Sequence, residues 1–287
     1  MSKTVNDSSG SIAEQRLTLS NGLELAYYDS CAESQAELES ADKATVVLLH
    51  GYCGSSAYWE RLIPILKHHC RIIAPDARGH GRSAETQDVT YTMELYAEDI
   101  AEMLVHLKIN KPIILGHSLG GYVTLAFVER HAKRLAGFGL IHSFAAEDNE
   151  TAKANRDKAV QSLEEEGVKL FVDGLVPKLF AEGEDNETLL ERVRQIGYTT
   201  SLHGAQATAR GMKARADRSS LLQQVKLPVL LVAGSQDRIA TPELMFQAAG
   251  QSAHKVELSD ASHMSMLEQP EKLAREIIDF CAGIERE

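Results

Sequence analysis

The chain has 287 residues, 44 % hydrophobic and 25 % charged, the make-up of a globular protein long enough to bury a large core. Its net charge of −11, with no long basic run, speaks against a nucleic-acid or anionic-membrane surface, because both need a positive footprint. No apolar run approaches the ~20 residues of a membrane span. No Cys-x-x-Cys or His-x-x-x-His pair marks a metal site, so no metal is expected.

The N-terminal stretch MSKTVNDSSGS has no apolar core, so it reads as a solvated tail and not as a secretion signal. The four cysteines, Cys31, Cys53, Cys70 and Cys281, show no paired spacing and read as reduced thiols of a cytoplasmic protein. RLTLSNGLELAYYD places short apolar runs on either side of Asn21-Gly22, a hairpin signal. The polar, acidic segment from Ser30 to Ala44 reads as an exposed loop. TVVLLH, from Thr45, is β-branched and continuously apolar, as a strand buried on both faces must be.

Strands and helices then alternate. Ser56 to Lys67 reads as helix, Arg71 to Asp76 as strand and Tyr91 to Leu107 as helix. PIILGH is a strand, GGYVTLAFVERH a helix and RLAGFGLIH a strand. After a break come strand LPVLLVAG, helix TPELMFQAA, strand KVEL and a closing helix from Pro270 to Ile284. Counting the hairpin, this is an α/β fold, a mostly parallel eight-stranded sheet flanked by helices. The break, residues 145–220, shows no strand pattern. Val168, Phe171, Val172, Leu175, Val176, Leu179 and Phe180 fall on one helical face, with Pro177 expected to kink it. Residues 1–144 and 221–287 therefore form the core domain, and 145–220 an inserted helical unit. An apolar stripe alone does not separate a lid over a cleft from plain packing.

IILGHSLGG, Ile113 to Gly121, contains Gly-x-Ser-x-Gly. With 20 glycines in the chain, composition alone predicts on the order of 0.1 chance matches, so the pentapeptide needs support. Ser118 falls where a buried strand gives way to a helix. So abrupt a turn strains the serine, and side chains at Gly116 and Gly120 would clash. The helix N-terminus offers unpaired N–H groups, making the Leu119 amide a candidate donor to an oxyanion. A serine hydroxyl needs a base, and the base needs an orienting group. His263 lies between the last strand and the last helix, and Asp237 directly follows the penultimate strand. Both sit at carboxyl ends of strands, where open α/β sheets place their sites.

HGYCGS, DARGHGRS, GHSLGG, GSQDRIATP and SHMSMLEQPE occur in that order between residues 50 and 270. Together they resemble the α/β-hydrolase-fold proteins, in particular small serine esterases and lactonases with a helical cap. The resemblance implies Ser118 as nucleophile, His263 as general base and then acid, and Asp237 as its partner. It implies an oxyanion hole from the Tyr52 and Leu119 amides. It also implies ester hydrolysis of a small molecule without a cofactor, with lactone or carbon–carbon hydrolysis as alternatives and a non-hydrolytic receptor as a third. Ser262 stands where such proteins often have glycine.

Competing residues can be weighed. His117, next to Ser118, should point away from it and pack beneath the turn, and His50 should support the oxyanion loop. Asp260 and the pair Glu147 and Asp148 compete with Asp237, which has the better motif context. Asp76, Arg78 and Arg82 read as charges pairing within a tight loop. Cys53, Ser143, Phe144 and Met264 are candidates for the substrate pocket.

Overall fold

The computed structural model of the protein describes residues 10–32, 43–181 and 187–284. Residues 1–9 of the expected tail, and most of the expected Ser30–Ala44 loop, lie outside these. At the tail's end the expectation fails. Ser11 is buried, its hydroxyl donating to Asp76 Oδ2 at 2.5 Å, because the Asp76 carboxylate needs a donor there.

β1 (Gln15–Thr18) and β2 (Glu24–Asp29) form the expected antiparallel hairpin, with Gly22 at φ +83° in the turn. The sheet continues with β3 (Thr45–Leu49), β4 (Arg71–Pro75), β5 (Ile113–His117), β6 (Gly137–Ile141), β7 (Val229–Gly234) and β8 (Ala253–Leu258). Their order is β1-β2-β4-β3-β5-β6-β7-β8, and every pairing from β4 to β8 is parallel.

Apolar runs become two-sided strands because successive side chains alternate between faces. Val46, Leu48, Leu115 and Val232 point into one core with Trp59, Leu62 and Ile277. Val47, Leu49, Ile114 and Leu231 point into the other with Ile100, Leu104 and Phe127. The second core is covered by α1 (Met93–His106), capped by the Thr92 hydroxyl, and by α2 (Leu119–His131). The closing helix α6 (Pro270–Ala282) covers the first.

Between β6 and β7 the chain leaves the sheet for a helical insertion: α3 (Glu150–Leu175), α4 (Glu187–Gly197) and α5 (Leu202–Ala214). The expected kink at Pro177 is displaced. Gly167, at φ +79°, interrupts α3 itself. Pro177 instead opens a short 3-10 turn, Val176–Leu179, where the missing proline N–H would be unpaired anyway.

Candidate active site

Ser118 joins β5 to α2 at φ +50° and ψ −113°, a left-handed conformation that costs a serine roughly 1–3 kcal/mol. The turn is crowded. A Cβ on Gly116 would overlap the Gly120 carbonyl, and one on Gly120 would overlap the Leu49 carbonyl. Serine at a helix N-cap ordinarily bonds a backbone amide in the first turn. Ser118 makes no such bond, so its half-buried hydroxyl is left uncommitted. The turn is held from below instead: Ser118 N–H donates to Ile141 O at 3.0 Å, and the Ser143 hydroxyl to Ser118 O at 2.7 Å.

Two loops meet this turn. In the loop after β3, a Cβ on Gly51 would stand 3.4 Å from Ser118 Cβ, so the backbone leading to Tyr52 lies against the serine. Among the described residues the Tyr52 and Leu119 amides have no acceptor. His50 holds this loop. It accepts from Ala77 N–H through Nε2 at 2.9 Å, so its Nδ1–H donates to Gly51 O at 2.8 Å. Burial pushes His50 down to about 4, which keeps it in the neutral form this bonding requires.

The second loop carries His263. His117 Nε2 donates to its carbonyl at 2.9 Å, and the two rings stack obliquely 4.9 Å apart. His117 thus packs beneath the turn as expected. Burial, then the neighbouring His263 and His142, holds it well below the ordinary histidine range.

Asp237, after β7, closes the constellation. Its Oδ1 accepts from the Ile239 and Ala240 amides at 2.8 and 3.0 Å. Its Oδ2 bonds His263 Nδ1 at 2.8 Å and His142 Nδ1 at 2.9 Å. Burial works to raise this carboxyl, but the charges and hydrogen bonds of the two imidazoles outweigh it and hold it far below the carboxylate range. An ionised carboxylate only accepts, so both facing Nδ1 atoms carry protons. His263 Nε2 is then left with a lone pair whenever the ring is neutral. His142 Nε2 likewise accepts from the Ser265 hydroxyl at 2.7 Å.

His142, Asp237 and His263 are also a group whose ligand atoms lie within 4.8 Å of one another. Four hydrogen-bond donors already use the four acceptor directions of Asp237, so hydrogen bonding accounts for the cluster without a cation.

A family profile described as the alpha/beta hydrolase fold matches residues 44–270. The chain belongs to that family. This α/β hydrolase is similar to 3-oxoadipate enol-lactonase 1 of Acinetobacter baylyi, 27 % identical over 87 % of this chain and 93 % of that one. Its fold matches a thermophilic esterase of Thermogutta terrifontis with a TM-score of 0.86, 30 % identical over 95 % of this chain and all of the other. It matches the enol-lactonase of Burkholderia xenovorans LB400 at 0.82, 26 % identical over 93 % and 100 %. No described helix of this hydrolase is long and apolar enough to cross a membrane.

The structure separates the competing residues. Asp260 is exposed, and Asp148 pairs with Arg156 and Arg215 instead of a histidine. Of the charges of DARGHGRS, Asp76 bonds within the loop and beyond it, and Arg78 finds its acid outside. Asp76 accepts backbone N–H groups of Ser56 and Arg82, both at 2.7 Å, while Arg78 reaches across to Asp99 on α1 at 2.5 and 2.7 Å. A fully buried guanidinium needs a planar partner, which the tight loop does not offer. Of the pocket candidates, Cys53, Ser143 and Met264 are packed inside and Phe144 is partly open. Burial pushes the Cys53 thiol up to about 12, far from a reactive thiolate. His142 was not foreseen. Its one sequence signal is a histidine at the carboxyl end of a buried strand, the edge where Asp237 and His263 also sit.

Proposed function

We propose that this α/β hydrolase cleaves carboxylic esters of small molecules through an acyl-enzyme on Ser118. The observation that carries the reading is an uncommitted serine hydroxyl at a strained helix entry, in a turn whose neighbouring His117 bonds the loop that holds an imidazole on a buried carboxylate. Ser118 Oγ attacks the ester carbonyl while its proton passes to His263 Nε2. The imidazolium that forms is stabilised by Asp237, which stays ionised. The Tyr52 and Leu119 amides donate to the oxyanion, each worth about 3 kcal/mol in the transition state. The tetrahedral intermediate collapses, and His263 returns the proton to the departing alcohol. Water then attacks the acyl group by the same route, releasing the acid and restoring Ser118. These steps need no cofactor. His142 acts as a positioning residue, fixing Asp237 through the same Oδ2 that His263 bonds.

Residues 145–220 serve as a cap over the cleft, set on a core of 1–144 and 221–287. In support, Tyr52 donates to Ala205 O on α5 at 2.9 Å, and its ring meets Phe171 of α3 with centroids 6.0 Å apart. The four buried cysteine thiols suit a reducing cytoplasm. The enol-lactonases among the similar proteins favour a second reading, lactone hydrolysis. A lactone is an ester whose leaving alcohol stays tethered, so every step above applies to it.

The test is labelling with a fluorophosphonate probe, the adduct located by mass spectrometry, beside a panel of short and long esters and lactones. Ser118 is expected to take the label, and Ser118→Ala to lose at least about four orders of magnitude in kcat/KM. Unlabelled Ser118, with hydrolysis intact in Ser118→Ala, would overturn the reading. Turnover of lactones alone would select the second.

A further inference from the structure

Two arginines of the insertion face the same buried acid. Asp148 forms an ion pair with Arg215 Nη1 at 2.6 Å through one oxygen and accepts from Arg156 Nε at 3.0 Å through the other. Two permanent positive charges thus share one negative charge, leaving an excess of one cation in the insertion. Asp217, another acid within electrostatic reach of Arg215, is exposed and accepts from the Ser219 amide. Lys153 on α3 has its own acid, Glu147.

The two guanidinium groups are used differently. Arg215 is a structural staple, 4 % exposed. It also donates to the Met212 and Ala146 carbonyls, and its guanidinium lies 4.0 Å from the centroid of the Tyr122 ring. Arg156 makes only the Nε bond. Among the described residues its two Nη amines have no protein partner, and its side chain is 27 % exposed. A guanidinium serving packing alone would engage its Nη groups, the pair best placed for bidentate bonding.

Its position faces the chemistry. Tyr122 lies one helical turn beyond Ser118, and Tyr52 follows Gly51 in the loop against that serine. Arg156 is linked to Tyr122 through Asp148, which it shares with Arg215, whose guanidinium lies 4.0 Å from the Tyr122 ring centroid. Burial drives the Tyr52 and Tyr122 phenols up, and the Arg156 charge opposes this at each. One turn further along α3, the Val160 carbonyl accepts from Gln206, the residue after the Ala205 that Tyr52 bonds. Arg156 and Val160 share a helix face, the one turned toward α5 and Tyr52.

We propose that Arg156 is the anion subsite of the cleft, and that the preferred substrates are esters or lactones carrying a carboxylate away from the scissile bond. The free Nη edge matches a carboxylate's two oxygens, and the shared Asp148 orients the guanidinium without neutralising the pair of arginines. In a chain of net charge −11 this local cation gives an anionic substrate a favourable place to dock.

The proposal rests on the ester-hydrolase reading, and its test separates the two. Monoethyl adipate is compared with ethyl hexanoate, equal in length but for the terminal carboxylate. 3-Acetoxybenzoate is compared with 3-methylphenyl acetate, which moves the charge to the alcohol side. In wild type the anionic member of at least one pair is expected to have the higher kcat/KM. Arg156→Gln should lower that anionic-to-neutral ratio at least tenfold, chiefly through KM, and Arg156→Lys should lower it less. Both esters turned over, with ratios unchanged by Arg156→Gln in both pairs, would overturn the subsite and leave the esterase standing. Absence of turnover with Ser118 unlabelled would overturn the esterase. The subsite is then read by calorimetry with adipate, where equal affinity for wild type and Arg156→Gln refutes it. Should Arg156→Gln fail to fold, the wild type still decides: adipate should inhibit ethyl hexanoate hydrolysis competitively where 1,6-hexanediol does not, and equal inhibition or none by the two refutes the subsite.

Discussion

Around Asp237 four donors converge on one carboxylate, and each comes from a strand end or the loop that follows it. Along α3, by contrast, only Leu163 and Val172 of 26 residues are buried, and the charged side chains pair at the surface. The sheet edge is fixed by backbone amides and buried polar bonds, each expensive to leave unmade. α3 itself is held by two apolar anchors and, along its exposed face, by ion pairs that cost little to lose. The proposed chemistry thus sits on the rigid part, and the proposed selection of substrate on the part that can change without unmaking the fold.

The largest expected effect lies at the edge. Asp237→Asn keeps the shape but presents an amide to His263, which permits the wrong tautomer. kcat should fall by about four orders of magnitude with little change in KM. Steady-state kinetics on the best ester measure this. A fall of less than tenfold would mean that the hydrogen bonds to Asp237 serve folding alone.

Acid should expose the same contrast in stability. Burial pushes His50 down to about 4 and His80 down to about 3, below the 6.5 of an unfolded histidine. Between those values the unfolded chain binds more protons, so stability is full above pH 6.5 and declines as pH falls toward 4 and then 3. Each histidine contributes up to about 1.4 kcal/mol per pH unit within its interval. The Asp237 carboxyl, held low in the fold, adds a loss of the same sign below 3.8. Urea midpoints at pH 7 and pH 4.5 should therefore differ clearly. Hydrogen exchange at the lower pH should open the loops after β3 and β4, where His50 and His80 sit, before the insertion, whose one described histidine, His203, is not buried. Unchanged midpoints would remove the edge's claim to be the acid-sensitive region.

The sequence made the two regions legible to different degrees, for the same physical reason. Strands buried on both faces must be continuously apolar, so the central strands β3 to β7 could be read this way, and the turn at Ser118 follows from the glycines that sterics demand. The order of Ser118, Asp237 and His263 was readable because Ser118 and Asp237 follow strands closely and His263 lies in the loop after the last one. Pairings between distant side chains leave no such periodic trace. Asp99 as the partner of Arg78, His142 on Asp237 and the sharing of Asp148 by Arg156 and Arg215 depend on how α1, β6 and the insertion come together. The break in α3 fell at Gly167, which lies within the helical run, and not at the more conspicuous Pro177. Burial of Ser11 depends on Asp76, far along the chain.

The smallest expected effects lie in the insertion, where a pair of variants sharpens the contrast. Leu163 is fully buried in the core beneath α3, so Leu163→Ala should cost about 2–5 kcal/mol through lost burial and the cavity left behind. Lys213 pairs with Asp157 at 2.6 Å near the surface, both side chains substantially exposed, so Lys213→Ala should cost less than about 1 kcal/mol. Urea unfolding measures both. Leu163→Ala also loosens the helix that carries Arg156, so KM should rise for an ester whose kcat stays within a few-fold of wild type. Lys213→Ala should move neither constant. If Leu163→Ala instead lowers kcat as steeply as Asp237→Asn, the insertion helps hold the reacting groups in place, and the assignment of chemistry to the edge and selection to the helices above it does not stand.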